Sequence, residues 1–142
     1  AKGFSQVCFL DTYEGKYLEE LGGMNMFVVM ADGTIRTPEL TGVILEGGTR
    51  SAILRLLRDE GVDVREEKIA LSEVVDGIRS GAVAEVFACG TAAVVTPITR
   101  LGGDDFDVEI EVGDKTREVH KRLTDIQWGR AEDPYGWTYR LA

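Results

Sequence analysis

The sequence has little of what metal sites and thiol chemistry require. It contains two cysteines, Cys8 and Cys89, which are far apart in the chain, and a single histidine, His120. Because no histidine lies near Cys89 in the sequence, we interpret it as a buried structural residue and not as a nucleophile. With one histidine and scattered cysteines, we predict no metal site. Such sparse cysteine use is typical of a reducing compartment, and we expect a cytoplasmic protein.

Positive charge and long apolar runs are also scarce. The chain has 16 Lys and Arg residues against 25 Asp and Glu residues, a formal net charge of −9. Nucleic-acid and anionic membrane surfaces need clustered basic residues, so we predict neither as a partner. No apolar run approaches the length of a membrane span. An anionic small molecule would need a local positive site, because the overall field opposes it.

What the chain does have is the composition of one folded domain. Its 142 residues, 44% of them apolar, suffice for a hydrophobic core without disulfides or metals. Neither internal repeats nor low-complexity linkers divide it. We therefore predict a single domain over residues 1–142.

Hydrophobic periodicity predicts alternating strands and helices. Alternating or short apolar runs indicate strands, and apolar residues at three- and four-residue spacing indicate helices. The turn at Asp32-Gly33 predicts a hairpin. The predicted strands are 7–10, 25–30, 34–37, 62–70, 83–89, 93–101, 106–110 and a closing 136–141, and the predicted helices are 50–60, 72–79 and 114–128. The pattern is that of a mixed α/β domain with much antiparallel pairing.

Two short glycine segments could bind an anion. Gly47-Gly48-Thr49 precedes the first helix, where free backbone N–H groups and the helix dipole attract negative charge. Thr49 also fits an ordinary N-cap, which taken alone is the commoner role. Gly90-Thr91-Ala92 is a second turn of small residues between strands. Neither segment by itself distinguishes an anion site from a simple turn.

A carboxylate stands before a third glycine segment. Glu20 precedes Leu21-Gly22-Gly23, and a carboxylate facing a pyridine nitrogen would keep that nitrogen protonated. Taken alone, Glu20 could equally be a surface residue beside Glu19. Ser72 and Asp114 are predicted to cap the second and third helices.

Taken together and in order, these segments resemble a known family. ELGGMNMF at 20–27, GGTR at 47–50, GTAAVVTP at 90–97 and LTDIQWG at 123–129 are similar to the C-terminal domain of branched-chain aminotransferases, in the class IV family that uses pyridoxal phosphate. The resemblance spans nearly the whole chain. It implies the large C-terminal domain of fold type IV, a largely antiparallel sheet or pseudo-barrel with flanking helices.

The resemblance also implies roles for individual residues toward the cofactor, pyridoxal 5'-phosphate. Glu20 corresponds to the carboxylate that pairs with the pyridine nitrogen. Gly48 and Thr49 correspond to phosphate ligands, through backbone amides and the threonine hydroxyl. Thr91 corresponds to a further threonine on the phosphate side.

A second set of roles concerns the substrate. Thr91 and Ala92 match the turn whose backbone faces the substrate α-carboxylate. Gly23 falls where some relatives carry a threonine near that carboxylate, so a hydroxyl contact is lost. Where some relatives carry a Cys-x-x-Cys switch, this chain has Ala93 and Thr96, and no thiol switch is expected.

The family's Schiff-base lysine lies upstream of the matching segment. No lysine of this sequence stands in the corresponding context, so no catalytic residue is assigned within it. We expect the chain to be the cofactor-binding domain of a longer enzyme and to be inactive alone. The parent, a homodimer by resemblance, would exchange amino groups between leucine, isoleucine or valine and 2-oxoglutarate. Its missing N-terminal domain would leave an apolar concave face around Met24, Phe27 and Ala92.

Two other interpretations remain open. A D-amino-acid aminotransferase or an aminodeoxychorismate lyase would share the same cofactor-binding segments. A non-catalytic interaction domain that inherited the fold would equally lack the lysine. The LTDIQ segment favours the branched-chain group.

Overall fold

A computed structural model describes residues 6–40, 47–90 and 94–137. It contains three short or medium helices and a mixed set of strands, as the sequence pattern predicts. In chain order the elements are β1 (Cys8–Leu10), β2 (Leu18–Leu21), β3 (Asn25–Met30), β4 (Ile35–Pro38), α1 (Gly48–Asp59), β5 (Val64–Glu67), α2 (Leu71–Ser80), β6 (Val83–Gly90), β7 (Val94–Pro97), β8 (Arg100–Gly102), β9 (Asp107–Glu109) and α3 (Asp114–Gln127).

The central feature is a five-stranded sheet in the order β5-β4-β3-β6-β7. Only β4 and β5 run parallel; the other neighbours are antiparallel. Two further antiparallel pairs, β1-β2 and β8-β9, complete the strands described. The predicted mixed α/β fold with a largely antiparallel sheet is confirmed.

The β3-β4 hairpin forms for the local reason that the sequence indicates. Gly33 has a φ of 94°, which a glycine adopts without strain. The Asp32 carboxylate accepts a hydrogen bond from the Thr34 N–H at 2.9 Å, a pattern by which aspartate closes turns. The prediction of a hairpin around this turn is confirmed.

Alternation along the central strands creates two separate core layers. Met26 and Val28 point to one face, where α2 packs, and Phe27 points to the other, where α1 and α3 pack. Phe27 is fully buried and stacks on Phe87 of β6, with 5.1 Å between ring centroids. Because strand side chains alternate, Phe27 and Met26 cannot share a surface.

The first two helices begin one or two residues earlier than predicted, and the N-caps of all three helices differ from those predicted. Thr49 is not an N-cap: Gly47 is, and Thr49 is the second residue of α1. Likewise Ser72 and Asp114 lie inside α2 and α3. The residues that end the helices were predicted more accurately than the N-caps. Gly81, for example, ends α2 in the left-handed conformation.

The first turn of α3 is held by a residue from the sheet. Glu85 of β6 is buried, and its carboxylate accepts hydrogen bonds from the backbone N–H groups of Lys115 at 3.2 Å and Thr116 at 2.9 Å. Gly113, the N-cap, lies so close to the Glu85 carboxyl group that a Cβ there would overlap it. A carboxylate in this position satisfies free N–H groups and complements the helix dipole.

Several strand boundaries differ from the predictions. The predicted strand 62–70 is limited to β5, and the predicted strand 93–101 is divided into β7 and β8. The predicted closing strand is not formed at Gly136 and Trp137, and its remaining residues lie outside those described. Over the three described ranges, no helix is both long and apolar enough to span a membrane.

Candidate functional site

The first glycine segment forms a tight turn between β2 and β3. Leu21 and Met24 exchange two backbone hydrogen bonds, of 2.8 and 2.7 Å. Between them Gly22 and Gly23 both have positive φ angles, 45° and 94°. Two positive φ angles in a two-residue hairpin loop define a type I′ turn, which favours glycine. The positive φ angle of this turn therefore explains why position 23 is a glycine. Gly23 is exposed, and no atom of the described residues lies within 4 Å of where its Cβ would be.

Asn25, at the end of this turn, brings the second glycine segment close. The Asn25 side-chain oxygen lies 2.6 Å from where a Cβ on Gly47 would be, so only glycine fits there without movement. In the sheet, Asn25 pairs with Cys89, one residue before the third segment. One buried asparagine thus lies between the start of α1 and the end of β6.

The third segment adjoins the first through Met24. A Cβ on Gly90 would lie 3.1 Å from the Met24 side chain. Gly90 pairs with Val94 across the hairpin that residues 91–93 connect. Val94 has a φ of 58°, an unusual conformation for a β-branched residue and one that is often found at functional sites. The structure therefore brings Gly47, and Gly90 from the third segment, close to the residues that follow the Gly22-Gly23 turn.

The start of α1 is open in the way an anion site requires. Gly47 has an extended backbone, and no side chain of the described residues caps the helix. No acidic residue occupies the first turn, and no atom of the described residues lies within 4 Å of the position of a Cβ on Gly48. Gly48 is exposed and Thr49 half-buried. Free N–H groups and accessible space suit a phosphate group, so these residues fit the cofactor that the resemblance implies.

Glu20 lies on β2, directly before the type I′ turn, and is half-buried. Its neighbour Glu19 is the more buried of the two, at 9% exposed. Glu19 lines a cavity of about 400 Å³ with Tyr17, Pro38 and Lys68. Consecutive residues of a strand face opposite sides, so the two carboxylates are directed differently.

Thr91 and Ala92 lie outside the described residues, and their predicted contacts stay predictions. The same holds for Ala93. Of the flanking residues, Gly90 ends β6 beside Met24, and Val94 begins β7.

An apolar concave surface does exist, but the prediction of its residues was partly wrong. A cavity of about 710 Å³ is lined by Met24 and Met26 together with Cys8, Leu21 and Ala88. Phe27 does not contribute, because it packs in the opposite core layer.

Cys89 is buried and Cys8 is half-buried, and both thiols are protonated. Burial raises the pKa of Cys8 to about 11. Burial likewise raises the pKa of Cys89 to about 12, although the charge of Arg50 acts in the opposite direction. At neutral pH neither sulfur is a thiolate, and only a thiolate is an effective nucleophile. This agrees with the interpretation of Cys89 as a structural residue.

The described lysines are engaged away from the glycine segments. Lys16 and Lys68 place their ammonium groups over the ring of Tyr17, at 5.3 and 5.4 Å from its centroid. Lys115 and Lys121 pair with carboxylates of their own helix, α3. The remaining lysine lies outside the described residues.

Sequence reasoning missed Arg50. This arginine is the third residue of α1 and is 2% exposed. It lies on the same helical face as Ile53, Leu54 and Leu57, which form the buried stripe of α1. A charge within an apolar stripe was the signal available in the sequence.

Comparison with known proteins agrees with this arrangement. The sequence profile of the family "Amino-transferase class IV" matches residues 1–101. "Branched-chain-amino-acid transaminase 1" of Bacillus subtilis is 42% identical over 142 residues, which are 98% of this chain and 40% of that protein. The chain thus spans about two fifths of the length of this relative.

Solved structures show the same similarity in three dimensions. The crystal structure of the Escherichia coli branched-chain amino acid aminotransferase superposes with a TM-score of 0.79 at 30% identity, covering 96% of this chain and 41% of that one. The Thermobaculum terrenum branched-chain amino acid aminotransferase, solved in its pyridoxal phosphate form, gives a TM-score of 0.73 at 29% identity, covering 92% and 39%. The fold, the ordered glycine segments and the family profile agree: this chain belongs to the class IV aminotransferases.

Proposed function

We propose that this chain is the C-terminal, cofactor-binding domain of a branched-chain aminotransferase. The complete enzyme would transfer the amino group of leucine, isoleucine or valine to 2-oxoglutarate with pyridoxal phosphate as cofactor. Relatives bearing that name match almost the whole chain. The observation that carries the proposal is the approach of Gly47 to Asn25 and of Gly90 to Met24, which joins the start of α1 and the end of β6 to the turn after β2.

The start of α1 would bind the phosphate group. The amides of Gly48 and Thr49 donate to it, the Thr49 hydroxyl adds a donor, and the helix dipole favours the negative charge. Gly47 lets the helix start lie against Asn25, whose side-chain oxygen is only 2.6 Å from where a Cβ would be. These contacts hold the ligand at one end and leave the ring free to lie along β2 and the turn after it.

Two further groups would act on the ring and the substrate. When bound, pyridoxal phosphate supplies an electron sink for the substrate α-carbon. The Glu20 carboxylate would hold a proton on the pyridine nitrogen by charge pairing, which raises the pKa of that nitrogen. Backbone groups of Thr91 and Ala92 would orient the α-carboxylate, with Gly23 leaving room beside it.

The rest of the enzyme would supply the catalytic lysine and the second wall of the site. Transamination needs a lysine that attaches the cofactor and moves the α-proton. The four described lysines of this chain are engaged elsewhere. The homodimer and the 2-oxoglutarate specificity belong to the same proposal.

A substrate panel tests the proposed reaction directly. With the complete polypeptide and pyridoxal phosphate, we expect leucine, isoleucine and valine to yield glutamate from 2-oxoglutarate, measured by amino-acid chromatography. A D-amino-acid aminotransferase would prefer D-alanine, and an aminodeoxychorismate lyase would release 4-aminobenzoate from aminodeoxychorismate. Turnover of either in preference to leucine contradicts the proposal, and cofactor binding without turnover of any substrate favours a non-catalytic domain.

Thr49→Val should weaken cofactor retention in the complete polypeptide. The change keeps the shape of the side chain and removes one donor to a charged acceptor, which costs about 1.5–3 kcal/mol. The expected result is a rise of roughly 10- to 100-fold in the dissociation constant of pyridoxal phosphate, measured by equilibrium dialysis.

Two matched variants isolate the Thr49 hydroxyl. Thr49→Ser keeps the donor and should retain near-normal affinity. Ser51→Ala removes an exposed hydroxyl from the same helix and should leave affinity unchanged. Equal affinities of the Thr49→Val variant and the unmodified protein would count against the phosphate assignment.

A further inference from the structure

Arg50 is buried beneath the proposed phosphate site. It follows Thr49 directly and is among the largest fully buried side chains of the described residues. Its Cβ lies 3.9 Å from the position of a Cβ on Gly47, so the side chain begins immediately below the helix start. Burying an arginine in an apolar layer is costly unless its charge and N–H groups are paired.

The partners of Arg50 connect the helix to the edge of the sheet. Its Nη2 donates to the backbone oxygen of Pro38 at 3.2 Å and to Oε1 of Glu66 at 2.8 Å. Pro38 is the last residue of β4, and Glu66 lies on the neighbouring parallel strand, β5. Arg50 therefore holds the first turn of α1 against the point where the chain leaves β4.

Glu66 is shared with a second arginine at the far end of α1. Arg58 donates to Oε2 of Glu66 at 2.9 Å. Hydrogen bonds from Arg58 and Arg50 hold the pKa of Glu66 below its ordinary value, so the carboxylate stays charged. Arg58 is half exposed and lies in the last turn of α1, about three turns from the helix start, which makes it a suitable control for Arg50.

The three helices begin in different ways. The first turn of α2 contains Glu73, which accepts from the Ala70 N–H at 3.2 Å, and that of α3 is held by Glu85. Within the described ranges α1 has no capping side chain. A carboxylate at this position would occupy the place that an anionic ligand needs and would repel it. A helix start that must remain open to an anion has to be held from another side.

We propose that Arg50 is a positioning residue for phosphate binding: it holds the uncapped first turn of α1 from beneath, so that the Gly48 and Thr49 amides stay aimed at the ligand. This inference rests on the proposed function, since it assumes that α1 binds the cofactor phosphate. It differs from that function in assigning the orientation of the site to a residue that does not contact the ligand.

The chemistry explains why an arginine occupies this position. The planar guanidinium offers several N–H groups in fixed directions and can serve a carbonyl and a carboxylate together. A lysine is a single point charge on a flexible stem. A misplacement of about 1 Å can cost an enzyme about a hundredfold in rate, so a rigid support for the first turn of α1 is important.

The test compares pyridoxal phosphate with pyridoxal, which lacks the phosphate group, in the complete polypeptide. The ratio of their dissociation constants measures the phosphate contribution alone. We expect Arg50→Met to reduce this ratio roughly tenfold or more while pyridoxal binds as before. Arg58→Met, which also deprives Glu66 of a partner, should leave the ratio unchanged. Equilibrium dialysis measures both ligands.

The outcomes separate this inference from the proposed function. If the unmodified protein shows no preference for pyridoxal phosphate, the proposed function fails. If the preference is present and survives in Arg50→Met, or if both ligands weaken equally, the role of Arg50 is wrong. Should Arg50→Met not fold, Arg50→Lys replaces it. We expect that variant to lose at least about threefold of the preference, and an unchanged preference there overturns the inference.

Discussion

Glu20→Gln should slow amino-group transfer from leucine by orders of magnitude in the complete enzyme while the cofactor remains bound. The glutamine keeps the shape of the side chain and removes its charge, so the proton on the pyridine nitrogen is no longer held. Stabilisation of the developing negative charge at the α-carbon then falls, and each ~1.4 kcal/mol lost is a tenfold loss of rate. Single-turnover absorbance with leucine measures this step separately from binding.

Glu19→Gln is the matched control for that experiment. Glu19 is the adjacent carboxylate on β2, and it faces the cavity lined by Tyr17 and Lys68. We expect near-normal transfer in this variant. A slow Glu19→Gln with a normal Glu20→Gln would mean that the assignment is displaced by one residue. Normal rates in both would mean that neither carboxylate serves the ring nitrogen.

Glu85→Ala should destabilise the fold on the order of 3 kcal/mol. The change removes two hydrogen bonds to a charged acceptor and leaves the N–H groups of Lys115 and Thr116 buried without that partner. The start of α3 also loses a negative charge that complements its dipole. Urea denaturation followed by circular dichroism measures the free energy of unfolding.

Three variants test this account of the α3 cap. Glu85→Gln keeps one acceptor oxygen and should show an intermediate loss. Glu111→Ala removes an exposed carboxylate two residues after β9 and should change stability by less than about 0.5 kcal/mol. Gly113→Ala should also destabilise, since its Cβ would overlap the Glu85 carboxyl group. If the Glu85→Ala variant were as stable as the Glu111→Ala variant, the proposed role of Glu85 at the start of α3 would be contradicted.

Local patterns in the sequence were enough to predict the fold class and most elements. The β3-β4 hairpin follows from Asp32-Gly33, because these residues close the turn by their own backbone and side-chain preferences. The end of α2 follows from Gly81, which adopts the left-handed conformation that most other residues avoid. The ordered glycine segments likewise indicated the family, since a motif is a property of the chain itself.

The tertiary structure was needed for features that depend on distant partners. Thr49 and Asp114 have the right chemistry for N-caps, yet α3 is held by Glu85, which precedes Thr116 by 31 residues. Phe27 was assigned to an open face, but the pleat of β3 directs it into the layer beneath α1. A local pattern predicts that the side chains of a strand alternate between two faces, but it does not predict which face other elements will cover.

Arg50 shows most clearly which features the sequence reveals and which need the tertiary structure. Its position in the apolar stripe of α1 can be read from the chain, but a stripe does not reveal a partner. Only the packed structure places Pro38 and Glu66 within reach of its guanidinium, because parallel pairing of β4 and β5 brings both to one edge of the sheet. Helix and turn propensities act between near neighbours in the chain, so they can be predicted from the sequence. The contacts that hold the candidate site together join residues far apart in the chain, and those exist only once the sheet has formed.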